Sequence, residues 1–126
     1  MNAEPMAQDH RSTVAIVDDD AAFRDALGLL LELAGHSVAF YASAAAFLDD
    51  LAARPACLIL DQHMPRMTGL ELAARLRTDG TSIPVMLVTT APSPAIVARA
   101  AQLGIEKVLP KPPTEHDLLS FVNAHR

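Results

Sequence analysis

Thr13-Val14-Ala15-Ile16-Val17-Asp18-Asp19-Asp20 is the stretch on which the fold turns. A short run of apolar and β-branched residues, with no polar residue alternating through it, stops abruptly at three acids. That is the pattern of a strand buried on both faces, as in a parallel sheet covered by helices, and not of a half-wet antiparallel strand.

Outward from this strand the pattern alternates. Phe23, Ala26, Leu27, Leu30, Leu31 and Ala34 recur at helical spacing and Gly35 follows, which predicts an amphipathic helix and its end. Ser37–Tyr41 reads as a second strand, and Ser43 as the cap of a helix running through Phe47, Leu48 and Leu51 and closed by Pro55. Residues 57–60 form a third strand, followed by a loop with Met64, Pro65 and Gly69 and a helix through Leu72, Leu76 and Arg77. Residues 83–88 are a fourth strand, 94–103 an Ala-rich helix ended by Gly104, and 107–109 a short last strand; Thr114 caps a final helix. Strands and helices alternating at this pitch predict an α/β domain with a parallel sheet covered on both faces.

The 126 residues suit one domain, with 51% hydrophobic content for its core. No apolar run approaches the roughly 20 residues a membrane helix needs, so no membrane partner is expected. Ten basic and fifteen acidic residues give a net charge of −5 without any Lys/Arg cluster, which argues against direct nucleic-acid binding. The single cysteine, Cys57, lies in an apolar run and reads as a small core residue, consistent with a reducing, cytoplasmic setting. Residues 1–11 are polar and mixed and read as a disordered tail, leaving 12–126 as the folded domain.

Ligands of open parallel sheets gather at the carboxyl ends of the strands, near the point where strand order reverses. There this chain places Asp18, Asp19 and Asp20 after strand one, Asp61 after strand three, Thr89 and Thr90 after strand four, and Lys111 just past strand five. Carboxylates ~4 Å apart repel by about 4 kcal/mol per pair at an effective dielectric near 20, so a cation is the natural remedy. Oxygen ligands without a His/Cys cluster point to a hard ion such as Mg²⁺, which pairs with phosphate oxygens. A carboxylate can then attack phosphorus to give an acyl phosphate, with the metal and an ammonium offsetting charge on the transferring oxygens. Asp61, Mg²⁺ and Lys111 would fill those roles.

Val17-Asp18-Asp19-Asp20, Asp61-Gln62-His63-Met64-Pro65-Arg66-Met67-Thr68-Gly69, Val88-Thr89 and Lys111-Pro112 resemble, in order, the signatures of response-regulator receiver domains of two-component signalling. Ala34-Gly35-His36, Tyr41-Ala42-Ser43-Ala44, Ile83-Pro84 and Ala101-Gln102-Leu103-Gly104 are most similar to FixJ-type receivers. The resemblance implies a flavodoxin-like three-layer α/β/α fold with a doubly wound five-stranded sheet ordered 2-1-3-4-5. It implies that Asp61 is phosphorylated from a phosphohistidine of a histidine kinase or phosphotransfer protein. Asp19, Asp61 and the His63 carbonyl would bind Mg²⁺, and Asp18 would act largely through water. Thr89 and Lys111 would contact phosphoryl oxygens. The outcome would be a switched protein-interaction face, for a downstream protein or self-association, around helix four and strand five. Such a chain catalyses its own phosphorylation and dephosphorylation and is not a conventional turnover enzyme.

Three positions depart from the family pattern. Val108 stands three residues before the lysine, where many receivers carry an aromatic switch residue, so the signal is expected to pass through the strand-four loop and helix four. His63 and Thr90 are expected to border the phosphoryl group and set its lifetime. The alternatives are a receiver cut from a longer DNA-binding regulator, a docking domain independent of phosphorylation, and a metal-dependent phosphohydrolase, for which no separate acid/base is found. His10, His36, His116 and His125 are read as solvent or interface side chains.

Overall fold

Side chains along each strand alternate between two apolar layers, and that alternation explains the architecture of the computed structural model, which describes residues 13–51 and 54–126. The tail expected at 1–11, and His10 with it, lie outside the described residues. The strands are β1 (Thr13–Val17), β2 (Ser37–Tyr41), β3 (Cys57–Asp61), β4 (Val85–Thr89) and β5 (Lys107–Pro110). The helices are α1 (Ala21–Leu33), α2 (Ala44–Asp49), α3 (Gly69–Thr78), α4 (Pro94–Gln102) and α5 (Glu115–Ala124). The strands form one parallel sheet in the order β2-β1-β3-β4-β5.

Val14, Ile16, Cys57, Ile59, Met86 and Val88 point to the layer of α1 and α5, where they meet Leu27, Leu31, Leu118, Phe121 and Val122. Ala15, Val17, Leu58, Leu60, Val85 and Leu87 point the other way, to Phe47 of α2, Leu72 and Leu76 of α3, and Ala100 of α4. Each fully buried Leu, Ile or Phe stabilises the fold by roughly 1.5–3 kcal/mol over leaving it exposed. Because both faces are covered, β1, β3 and β4 read as continuous apolar runs.

Every helix opens on a side-chain cap: Asp20, Ser43, Thr68, Ser93 and Thr114 each accept a backbone N–H of the first turn. Thr68 and Glu71 complete a reciprocal capping box on α3. Gly35, at φ 94°, ends α1 as the spacing predicts, with the His36 N–H bonded back to the Leu31 carbonyl at 3.0 Å.

Several boundaries differ from expectation. β4 begins at Val85 because Pro84 has no N–H to enter the ladder. α2 ends at Asp49, before Leu51, which still packs against the core. β3 and β5 each reach one residue further than expected, to Asp61 and Pro110. His36 is buried, not a solvent side chain, and its Nε2 lies 3.0 Å from Asn123 Oδ1, joining the start of β2 to α5. His125 pairs with Glu106. Cys57 is fully buried, and burial pushes its thiol up to about 12, as befits an inert core residue. Among the described residues, no helix is long and apolar enough to cross a membrane.

Candidate functional site at the strand ends

The chain reverses its winding between β1 and β3, which are in register as Val17 to Leu60. One step further along both strands, Asp18 and Asp61 therefore leave the sheet side by side. Thr89 faces Pro110 across the β4–β5 ladder. The Lys111 amide then donates to the Thr89 carbonyl at 3.0 Å, carrying the lysine over the same rim; the Lys111–Pro112 peptide is cis.

The three consecutive acids divide their work. Asp18 is buried, and its Oδ1 accepts the Asp20 N–H at 2.8 Å. Arg24 Nη1 donates to the Asp18 carbonyl at 2.7 Å. Asp19 is exposed, and Asp20 is the cap of α1, accepting the Phe23 N–H at 3.1 Å. One carboxylate oxygen each from Asp18, Asp19 and Asp61 lie within 4.8 Å of one another.

Lys111 closes the cluster. Its Nζ lies 2.9 Å from Asp18 Oδ2 and 3.7 Å from Asp61 Oδ1, and 4.4 Å from the centroid of the Phe23 ring. Burial works against the lysine's charge, but Asp18, then Asp61 and Asp20, outweigh it, and its pKa lies above the ordinary value. Asp61 is pushed up to about 6, first by burial and then by the charge of Asp18; Lys111 and the His63 N–H pull it back only in part. The site thus has more negative charge than one ammonium offsets.

Oδ2 of Asp18 shows the same deficit: it is buried, and its approach to Lys111 is an ion pair by distance without a well-directed hydrogen bond. An oxygen-only donor set with an under-satisfied buried oxygen and a carboxyl held near 6 fits a hard divalent cation such as Mg²⁺.

Thr89 is fully buried at the end of β4. Its Oγ1 lies 3.0 Å from His63 Nε2 and accepts the Ala91 N–H at 3.3 Å. His63 itself is exposed, as is Thr90. Val108 is half-buried in β5 and packs into the layer of α2, α3 and α4. α4 is neither a buried helix nor evenly polar: Ala100 is its only buried residue, and Val97 is 49% exposed.

Behind β3, α3 starts in contact with the loop backbone. The Gly69 N–H donates to the Gln62 carbonyl at 3.1 Å, and Gln62 Oε1 accepts the Leu70 N–H at 2.8 Å. A Cβ on Gly69 would lie 2.5 Å from the Asp61 carbonyl oxygen, so only glycine fits there.

The sequence spacing singled out Asp18, Asp19, Asp61, Thr89 and Lys111, and the fold brings them to one rim. It did not single out Phe23 beside Lys111, Arg24 on the Asp18 carbonyl, or the partnership of His63 with Thr89. Phe23 was legible only as core, because helical spacing says nothing of what lies across the sheet.

Comparison with known proteins agrees with this geometry. Residues 14–123 match the family model described as the response regulator receiver domain. The chain is 32% identical over 112 residues to the transcriptional regulatory protein FixJ of Bradyrhizobium diazoefficiens, covering 88% of this chain and 55% of FixJ. It is 34% identical over 117 residues to the response regulator protein TodT of Pseudomonas putida, covering 92% of this chain and 52% of TodT. The chain therefore spans about half the length of the curated relatives it matches. The crystal structure of FixJ-N superposes with a TM-score of 0.79 at 28% identity, over 95% of this chain and 98% of that one. With the strand order, the acidic rim and the family match in agreement, the chain belongs to the response regulator receiver domain family.

Proposed function

We propose that this chain is a phosphoryl-accepting switch in which Asp61 takes a phosphoryl group from the phosphohistidine of a histidine kinase or phosphotransfer protein. The observation that carries this reading is the buried Asp61 carboxylate, set beside Asp18 and 3.7 Å from the Lys111 ammonium at the end of β3. An Asp61 carboxylate oxygen attacks phosphorus, the P–N bond to the donor imidazole breaks, and the imidazole keeps the electron pair and takes up a proton. Asp19, Asp61 and the His63 carbonyl would hold Mg²⁺, with Asp18 acting through water, and the ion when bound would supply charge neutralisation for the transferring oxygens. Lys111 is the mobile point charge for a second phosphoryl oxygen, and the Thr89 hydroxyl donates to a third. His63 and Thr90 flank the acyl phosphate and set its lifetime.

Because Val108 is too small to act as an aromatic reporter, the signal runs through the 89–93 loop into α4. The output is a contact of the α4/β5 face with a protein target or with a second copy of the chain. Residues 12–126 act as the receiver unit, in the cytoplasm.

Incubation with Mg²⁺ and acetyl phosphate, followed by intact mass, should add one phosphoryl group to the chain and none to Asp61→Asn. No addition, even with a cognate kinase, would overturn the reading. A second reading, that the receiver is part of a DNA-binding transcription regulator, is favoured by the half-length match to a relative named as a transcriptional regulatory protein.

A further inference from the structure

We propose that His63 is a positioning residue that holds the Thr89 hydroxyl proton away from Asp61, so that phosphorylation must first break a His63–Thr89 hydrogen bond. The proposal rests on the phosphoacceptor reading and gives His63 a direction of effect.

The argument is one of hydrogen-bond capacity. A threonine hydroxyl has one proton and two lone pairs. Thr89 is fully buried, and its Oγ1 has two polar neighbours, the Ala91 N–H at 3.3 Å and His63 Nε2 at 3.0 Å. The Ala91 amide can only donate. The remaining neighbour, His63 Nε2, is the acceptor open to the hydroxyl proton, and buried hydroxyls are rarely left without one. This assigns the imidazole the tautomer with its proton on Nδ1 and the lone pair of Nε2 aimed at Thr89.

This bond ties the loop after β3, which carries His63, to the last residue of β4, just before the loop that begins at Thr90. Thr89 serves a phosphoryl oxygen only by turning its single proton from Nε2 toward Asp61. His63 thereby stabilises the unphosphorylated arrangement. A net hydrogen bond of ordinary strength amounts to about a two- to ten-fold shift in that equilibrium.

Beryllofluoride with Mg²⁺, a phosphoryl mimic, is titrated into the full chain and followed by amide NMR. His63→Leu, which removes the acceptor, should bind the mimic about two- to ten-fold more tightly than wild type. His63→Gln, which keeps a carbonyl acceptor, should stay near wild type, and in a Thr89→Val background His63→Leu should change nothing. Unchanged or weaker binding by His63→Leu, or an equal gain in the Thr89→Val background, overturns the proposal. Thermal unfolding of each variant separates these effects from loss of fold. The imidazole ¹⁵N shifts of the free chain test the bond without any ligand, and a proton found on His63 Nε2 overturns it. If the mimic fails to bind wild type while Nε2 is unprotonated, the phosphoacceptor reading falls, and the competition proposed here falls with it.

Discussion

The Lys111 ammonium lies 4.4 Å from the centroid of the Phe23 ring, so the counter-charge of the acidic rim rests on an aromatic face from the first turn of α1. A cation over a ring contributes about 0.5–2 kcal/mol, more as water is excluded, and the Lys111 side chain is only 15% exposed. Phe23→Leu keeps the apolar bulk and removes the π face. It should slow phosphorylation of Asp61 by acetyl phosphate by roughly three-fold, whereas Phe23→Tyr should leave the rate near wild type. Time courses of intact mass give both rates, and equal rates for Leu and Phe would refute the contact's role.

Asp61 should make the metal-free chain more stable in mild acid. Its carboxyl, raised from 3.8 to about 6, prefers its proton in the folded state. The resulting penalty is absent below about pH 4, grows through the interval up to about 6, and is complete above it. Asp61→Asn should therefore stabilise the metal-free protein by about 1–2 kcal/mol at pH 7, roughly 3–8 °C in Tm, with the gain gone by about pH 4. Calorimetry at the two pH values checks the sign.

Mg²⁺ should remove the same penalty by another route. A cation that binds only the folded chain stabilises it by about 2.7 kcal/mol at 100 times its Kd. The rise in Tm with Mg²⁺ should shrink as pH falls through about 6, where Asp61 takes up a proton. It should also shrink in Asp18→Asn and Asp19→Asn at pH 7. A metal shift that is unaffected by both substitutions would place the ion elsewhere.

Gly69→Ala should cost about 1–3 kcal/mol by urea denaturation, since the added methyl meets the Asp61 carbonyl at 2.5 Å and the Gln62 Cα at 3.0 Å, both backbone atoms. Phosphorylation should fall too, because α3 must back away from the strand that presents Asp61. A variant of wild-type stability would show that this close approach is relieved at no cost.

Much of the fold was legible because β1, β3 and β4 are uninterrupted apolar runs, and the helix caps Ser43 and Thr114 sit where their chemistry requires. Asp18 and Asp61 were legible for a similar reason: acids that end buried strands have few other roles. The start of β4 was less so, since Ile83 is as apolar as Val85 and only the missing N–H of Pro84 separates them. Individual side-chain contacts between segments distant in sequence were harder to read. His36 reached Asn123, and His63 reached Thr89, through packing that neither local pattern encodes. Asp20 shows how a motif can mislead in the other direction, for it stands in the acidic triplet yet serves α1 as a cap.

The dispersal of the rim along the chain also sets an order of arrival during synthesis. Asp18 and Asp19 emerge with the first strand and Asp61 with the third, while Lys111, the only ammonium paired with Asp18 and Asp61 among the described residues, comes after the last. A nascent chain that has not yet exposed Lys111 carries the full negative charge of the centre without its internal counter-ion. On the function proposed above, competence as an acceptor waits for the edge strand β5, because only then does Lys111 reach Asp18 and Asp61.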